Sequence, residues 1–209
     1  MKKFFATIPL QVGEKLDTYR YEAVGNQLLQ MEEKTCFPIL TAINGYAQEG
    51  EEIRVIAVLT DNDSARKNLV LFETAVRELC QRKHLTLHRG VEAVQIPEDE
   101  RVAVHTATFQ RLIDFAEDND ELFVCMTYGT KPLCTVLLMA AQYAYRIKRN
   151  ASIGCVVYGQ VVRPQPDRST WRGKVYDMTA LVQIDEAVRI LADRGVADPK
   201  KVLDRMLSL

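Results

Sequence analysis

One short segment of the chain combines the residue types that binding of an anion requires. It reads MTYGTKP at residues 126–132, between an apolar stretch and a long apolar helix. Gly129 permits a tight or positive-φ turn, Thr130 can cap the helix, and Pro132 fits its first turn. The free amides of such a turn attract an anion. Lys131 adds a charge-assisted contact worth about 1.5–3 kcal/mol. The same spacing also fits an ordinary strand-to-helix turn with a solvent-facing lysine.

Three other strand ends supply further candidates. In open parallel sheets, ligands bind beyond the carboxyl ends of the strands, where loops and helix N-termini converge. The segments are residues 9–11, 60–62 and 158–160. The candidate ligand-binding residues are Pro9, Leu10, Gln11, Thr60, Asn62, Thr127, Tyr128, Gly129, Thr130, Lys131, Pro132, Tyr158, Gly159 and Gln160.

Hydrophobic periodicity predicts the elements that must position these residues. The predicted strands cover residues 4–8, 53–60, 121–126, 152–158 and 174–178, with a weak strand at 85–87 and a connection or short strand at 90–97. The predicted helices cover residues 37–48, 102–117, 132–147, 179–193 and 199–207, and a further helix follows the capping segment at 61–64 and runs through residue 82. Residues 13–34 are expected to form a loop followed by a helix.

Strands that alternate with long helices imply βαβ units, and therefore a mainly parallel sheet covered on both faces. The expected fold class is α/β, a Rossmann-like three-layer sandwich with C-terminal helices. The polar stretch at residues 163–169 is expected to be an exposed loop rather than a domain boundary.

Composition restricts the function further. The 27 basic and 28 acidic residues nearly cancel, which does not favour general binding of double-stranded nucleic acid. Five cysteines without a CxxC pair argue against a disulfide framework and a zinc ribbon. The apolar N-terminus is too short for a signal peptide, and no segment approaches the ~20 apolar residues that cross a bilayer. We expect a cytoplasmic protein that does not contact a membrane.

Several residues with chemical potential have simpler structural explanations. His84, His88 and His105 lack metal-ligand spacing with carboxylates or cysteines, so no metal site is predicted. Asp61 and Asp63 fit helix capping better than a catalytic carboxylate pair. Walker A and GxGxxG motifs are both absent, and no cofactor is predicted.

Some aromatic and basic side chains keep two interpretations. Arg66 and Lys67 could reach a phosphate or form a solvated helix face. Tyr128 and Tyr143 could be core aromatics. Trp171 could stack on a base or lie at a contact between subunits. The basic residues that flank Trp171 are Arg168, Arg172 and Lys174.

The stretch from residue 120 to residue 159 resembles the CARF (CRISPR-associated Rossmann fold) family. In that family a strand ends in a D-x-T-[HY]-G-type turn, a helix follows, and a later strand closes with Tyr-Gly. Residues 126–132 match the turn, residues 158–159 match the strand end, and VYDMT at 175–179 is similar to a later segment. The chain departs at Cys125, where many relatives carry an acidic residue, and at residues 8–11, where relatives often have a Gly-rich turn.

The resemblance implies a homodimer that binds a cyclic oligoadenylate, in particular cyclic tetra-adenylate, across its two-fold axis. Such a protein is the sensor of type III CRISPR antiviral signalling and controls an effector allosterically. Residues 1–195 would form the sensing domain and 196–209 a connector helix, and relatives commonly continue into a fused effector domain that this chain does not include.

The resemblance also suggests roles for the candidates. Thr127, Gly129, Thr130 and Lys131 would contact phosphate and ribose. Gln11, Asn62 and Gln160 would form hydrogen bonds to adenine edges or ribose hydroxyls. Leu10 and Tyr158 would pack against the bases.

Two alternatives stay open. One is a ring nuclease that cleaves the cyclic oligoadenylate without metal, with Thr130 and Lys131 as the catalytic residues. No histidine or carboxylate is an obvious base in the sequence, so turnover should be slow. The other is a Rossmann-like transcription regulator or a mononucleotide-binding enzyme. The final helices carry mixed charge rather than the basic face that a regulator needs.

Overall fold

The structure is a computed structural model that describes residues 1–11 and 16–208, apart from the side chain of Arg168. Across these residues, seven strands form one sheet in the order β2-β7-β6-β5-β1-β3-β4. The strands are β1 (Lys2–Thr7), β2 (Tyr21–Val24), β3 (Glu52–Thr60), β4 (Thr86–Ile96), β5 (Glu121–Cys125), β6 (Ser152–Val162) and β7 (Arg172–Asp177). The β6–β7 pair is antiparallel and every other pair is parallel.

Helices cover both faces of this sheet. They are α1 (Ile39–Tyr46), α2 (Asp63–Arg82), α3 (Val102–Ile113), α4 (Lys131–Ile147), α5 (Thr179–Asp193) and α6 (Pro199–Leu207), with short 3-10 helices at Gln27–Leu29 and Arg168–Thr170. Helices α1 and α2 pack on one face, where Ile43 and Phe72 join the same core as Phe4 and Val55. Helices α3 and α4 pack on the other. The predicted α/β three-layer sandwich is therefore confirmed.

The segment at residues 13–34 was predicted wrongly. Instead of a helix it contains β2 and a 3-10 helix, while residues 12–15 lie outside the described part of the chain. Burial alternates along β2, with Tyr21 and Ala23 buried and Glu22 exposed. This is the period-two pattern of a strand. Its partner is β7, where Tyr21 pairs with Gly173, far away in the sequence.

The region at residues 85–97 also differs from the prediction. A single strand, β4, replaces the two short segments. Arg89 and Gly90 both have positive φ, at 56° and 73°, and the pairing register with β3 shifts between Ile53 and Val55. The extra residues of this bulge interrupt the alternation of side chains, so one strand reads in the sequence as two.

At the amino edge of the sheet, a buried ion pair joins β1 to the start of β5. Lys3 is fully buried, and its Nζ lies 2.6 Å from Asp120 Oδ2, whose side chain is 2% exposed. The same ammonium donates to the Phe115 carbonyl and to the exposed carboxylate of Glu117. Burial of two charges is tolerated here because each has several partners.

Among the residues described, no helix is both long enough and apolar enough to cross a bilayer.

Replacing Asp120 tests this ion pair. We expect Asp120→Asn to lower the free energy of unfolding by about 3–5 kcal/mol, because it leaves Lys3 buried without its buried counter-charge. Urea denaturation followed by circular dichroism measures the loss. Glu117→Gln is the matched control: it removes an exposed partner of the same lysine and should cost less than about 1 kcal/mol. Equal losses would contradict the assignment.

Candidate functional site

The sheet has one topological switch point, between β1 and β5. After β1 the chain forms β2 at the far edge of the sheet, beside β7, and then β3 and β4 on the other side of β1. It then crosses back to β5, the second neighbour of β1. Helices α2 and α4, which follow β3 and β5, pack on opposite faces of the sheet. The region beyond the carboxyl ends of β1 and β5, called the crevice below, is therefore the place where a ligand site is expected. Crevices of this type are the usual ligand sites of open α/β sheets.

The turn after β5 lies at this crevice. The Thr7 hydroxyl, at the end of β1, donates to the Tyr128 carbonyl. Gly129 has φ of +86°, and a Cβ there would come within 3.2 Å of Thr7 and of Leu133. The left-handed backbone and the close approach of β1 both favour glycine at this position.

Thr130 and Lys131 begin α4 as the sequence predicted. Thr130 is the N-cap, and its hydroxyl accepts from the Leu133 amide at 3.4 Å. Pro132 has no amide hydrogen to satisfy. Within the described part of the chain, the amides of Gly129, Thr130 and Lys131 donate to no other residue. The first turn therefore presents unpaired N–H groups and the positive end of the helix dipole to solvent.

The Lys131 side chain adds a positive charge at the same place. It is exposed, and it forms no ion pair with any residue that the structure describes. An uncommitted ammonium beside free amides is the arrangement that binds a phosphate group.

Residues 158–160 were predicted to follow the end of a strand, but they lie inside β6, which continues to Val162 because it pairs with β7. Thr127 joins this part of β6 to the turn after β5. The Thr127 hydroxyl accepts from the Gly159 amide at 2.8 Å and lies 3.1 Å from Cys125 Sγ. It is therefore engaged inside the protein. A Cβ at Gly159 would lie 2.3 Å from Pro38 Cγ, so only glycine lets the segment before α1 pack against β6. Tyr158 and Gln160, on either side, are exposed.

The other residues predicted to contact the ligand, at 9–11 and 60–62, differ in exposure and in hydrogen bonding. Gln11 is exposed and Leu10 is half-buried, whereas Pro9 is buried and its carbonyl accepts from Asn68 at 2.8 Å. Thr60 is buried. Asn62 is the N-cap of α2, because its side chain accepts from the Ala65 amide at 2.8 Å. The main role of the segment at 60–62 is thus to cap helix α2, and it has little hydrogen-bonding capacity left for a ligand.

Tyr128 is tied to the interior. Its hydroxyl donates to the Cys36 carbonyl at 2.6 Å, and its ring packs on the core beneath α1. Burial raises the pKa of this phenol well above its usual range. Tyr143 is half-buried and makes an edge contact with Phe109. The core interpretation therefore accounts for both side chains, and Tyr128 reaches the crevice through its backbone.

The basic candidate residues, and the residues around Trp171, differ in the contacts that they make with the rest of the protein. Arg66 pairs with Asp61 and Asp63 on the surface, which agrees with a solvated helix face. Lys67 is exposed. The guanidinium of Arg163 lies 4.7 Å from the centre of the Trp171 ring. The indole N–H of Trp171 donates to the Gln165 carbonyl, so this tryptophan is held by its own loop.

Sequence reasoning missed two residues at the crevice. Glu100, in the connection between β4 and α3, accepts from the Thr130 hydroxyl at 3.2 Å. Its Oε2 also lies 3.0 Å from Nε2 of His105, in the first turns of α3. No spacing in the sequence links Glu100 or His105 to Thr130, because the contact joins loops 30 residues apart.

The cysteines near the site are unsuited to nucleophilic chemistry. Cys125 is buried under Thr127, and burial raises its thiol pKa to about 11. Burial also raises the pKa of Cys134, whose sulfur contacts the Tyr128 carbonyl. A raised pKa disfavours the thiolate, which is the nucleophilic form, so neither cysteine is suited to attack a substrate.

The fold and the crevice together define a Rossmann-like α/β protein with a candidate anion site at the switch point of its sheet. Neither protein-family models nor curated proteins give a match to the chain. Among the described residues, no group of three or more His, Cys, Asp or Glu side chains is arranged to hold a metal ion.

Removing the cap of α4 tests the geometry of the turn. We expect Thr130→Ala to lower the free energy of unfolding by about 1 kcal/mol, because the Leu133 amide loses its acceptor. Thr130→Ser should retain most of that stability. Thr135→Ala is the control, since the Thr135 hydroxyl bonds only a carbonyl of its own helix. Urea titrations of the three variants give the ranking, and an unchanged Thr130→Ala would rule out the cap.

Proposed function

We propose that this chain is a CARF-type sensor domain that binds a cyclic oligoadenylate, most favourably cyclic tetra-adenylate, across a homodimer. The observation that carries the proposal is the turn after β5, where the amides of Gly129–Lys131 and the ammonium of Lys131, none of them paired with a described residue, lie at the switch point of the sheet. This is the place and the chemistry that a phosphodiester ligand requires.

Exposed residues on β6 and beyond β1 suit the rest of such a ligand. Tyr158 offers an exposed ring for stacking and Gln160 an exposed amide, whose oxygen accepts from the Tyr176 hydroxyl at 3.1 Å. An amide can pair with the edge of adenine, and a tyrosine ring can pack against a base. Gln11 is exposed beyond β1 and can contribute a similar contact.

The symmetry of the ligand leads to the proposal of a dimer. A cyclic tetra-adenylate has a two-fold axis, so two identical half-sites satisfy it equally. One crevice offers a single lysine and one free helix turn, which is enough for part of a ring that carries four phosphates. Binding that favours one arrangement of two subunits would then shift a dimer between states and control an effector.

The second candidate, a ring nuclease, is favoured by one specific contact. The carboxylate of Glu100 lies within hydrogen-bonding distance of Thr130 at the mouth of the site. A carboxylate there provides a proton acceptor that the sequence did not reveal. In this alternative the ring is bound in the same way and is afterwards cleaved.

Calorimetry with cyclic tri-, tetra- and hexa-adenylate tests the binding proposal. We expect one ring per two chains and a preference for the tetra-adenylate. Lys131→Ala should weaken the affinity by about 100-fold or more, because the ring loses one charge-assisted contact to each subunit. Light scattering on the same samples should report a dimer in the complex.

Lys148→Ala is the matched control, since Lys148 lies at the opposite end of α4 and its loss should leave the affinity unchanged. Absence of heat with all three rings, or one ring per single chain, would overturn the proposal. A gel-shift assay with duplex DNA at physiological salt should give no complex. A shift there would favour the transcription regulator instead.

A further inference from the structure

We propose that Glu100, positioned by His105, is the general base with which this site cleaves a phosphodiester next to a ribose 2′-hydroxyl. The inference rests on the proposed function, since the ring must first bind at the crevice. It identifies Glu100 as the proton acceptor that the sequence does not reveal. No sequence pattern links Glu100 or His105 to the turn after β5.

The geometry consists of three side chains in a row. Glu100 is about half exposed and reaches from the β4–α3 connection to the first turn of α4. Its Oε2 lies 3.2 Å from Thr130 Oγ1 and 3.0 Å from His105 Nε2. The same oxygen therefore meets a hydroxyl on the solvent side and an imidazole on the protein side.

His105 fixes the position of this carboxylate. A carboxylate has no proton to donate, so the shared hydrogen is on Nε2. His105 is 8% exposed, and its Nδ1 is buried without a partner among the described residues. The contact with Glu100 is thus the one described side-chain hydrogen bond that holds the ring, and burial of that ring limits the freedom of Glu100.

A negative charge at this place weakens binding of an anion, so affinity does not explain it. Thr130 would cap α4 without Glu100, since its hydroxyl already accepts from Leu133. The nearby acidic residue Asp99 is paired with Arg101, whereas Glu100 forms no pair with Lys131. A carboxylate beside free phosphate-binding groups has the character of a proton acceptor in acid-base catalysis.

The reaction that follows balances without any other reactant. The 2′-oxygen of a ribose forms a bond to the adjacent phosphorus, and the bond from phosphorus to the 5′-oxygen breaks. Glu100 takes the proton from the 2′-hydroxyl, and the 5′-oxygen receives a proton from the Lys131 ammonium or from water. The products are a 2′,3′-cyclic phosphate and a 5′-hydroxyl. The free amides of the turn stabilise the charge on the phosphoryl oxygens.

Cleavage of cyclic tetra-adenylate under single-turnover conditions, in EDTA, tests Glu100. We expect wild-type protein to give linear products with 2′,3′-cyclic phosphate ends. Glu100→Gln should reduce the cleavage rate by about 100-fold or more, while the affinity for the ring stays equal or becomes tighter because a repulsive charge is removed. Glu98→Gln, an exposed neighbour on the same connection, should cleave at the wild-type rate.

Two variants separate positioning from folding at His105. A glutamine amide reaches the place of Nε2 and can donate to Glu100, whereas an asparagine amide is too short. We expect His105→Gln to keep most of the cleavage rate and His105→Asn to lose about 10-fold or more, with equal affinity for the ring. If both variants match wild type, or if both lose the rate in proportion to lost thermal stability, His105 has no positioning role.

The outcomes distinguish this inference from the proposal beneath it. A protein that binds no ring overturns both. A wild-type protein that binds the ring and leaves it intact for hours retains the sensor function and overturns the inference. Undiminished cleavage by Glu100→Gln, or cleavage of a ring built from 2′-deoxyadenosine, also overturns it, and the binding data stand in each case.

Discussion

The central position of β1 determines where this protein can bind anything. Parallel strands pair on both sides of β1, with β3 and β5, over nearly its whole length. Because β3 and β5 flank β1 and their following helices, α2 and α4, pack on opposite faces of the sheet, these two helices diverge. Gly129 and Thr130 lie at the start of α4 on the carboxyl edge of the sheet, and the buried Thr7 holds their turn by donating to the Tyr128 carbonyl. All of the chemistry assigned above lies within reach of that edge.

Much of the architecture follows from local sequence. The strands at β3, β5 and β6 are short apolar runs rich in β-branched residues, and the helices between them repeat apolar residues at helical spacing. Both patterns have strong local periods. The turn at residues 126–132 could also be predicted, because Gly129, Thr130 and Pro132 each have a preference that fits one position of a strand-to-helix turn.

What the sequence could not predict depends on distant partners. β2 is only four residues long and pairs with β7 about 150 residues later, so no local window contains the reason for its conformation. β4 contains a bulge at Arg89 and Gly90 that breaks its alternation. Lysine is usually a surface residue, and Lys3 can be buried because it forms an ion pair with Asp120. Glu100 is close to Thr130 because the ends of two different crossovers converge.

The electrostatics of the crevice combine attraction and repulsion. Free amides and Lys131 attract an anion, and the carboxylate of Glu100 opposes it from 3.2 Å beyond the Thr130 hydroxyl. A site selected for tight binding alone would lack that carboxylate. Opposed charges of this kind are typical of sites where a proton is moved during the reaction, since binding strength is exchanged for reactivity.

The β6–β7 hairpin rises past the point where the parallel strands stop. Cys125, the last residue of β5, pairs with Val157, yet β6 continues to Val162 with β7 as its only described neighbour over those last residues. Tyr158 and Gln160 are therefore carried on a hydrogen-bonded ribbon rather than on a loose loop. Their backbone is already ordered before any ligand arrives, so little conformational entropy remains to be lost on association. A rigid wall of this kind selects a partner by shape, and it disfavours molecules that would have to bend around it.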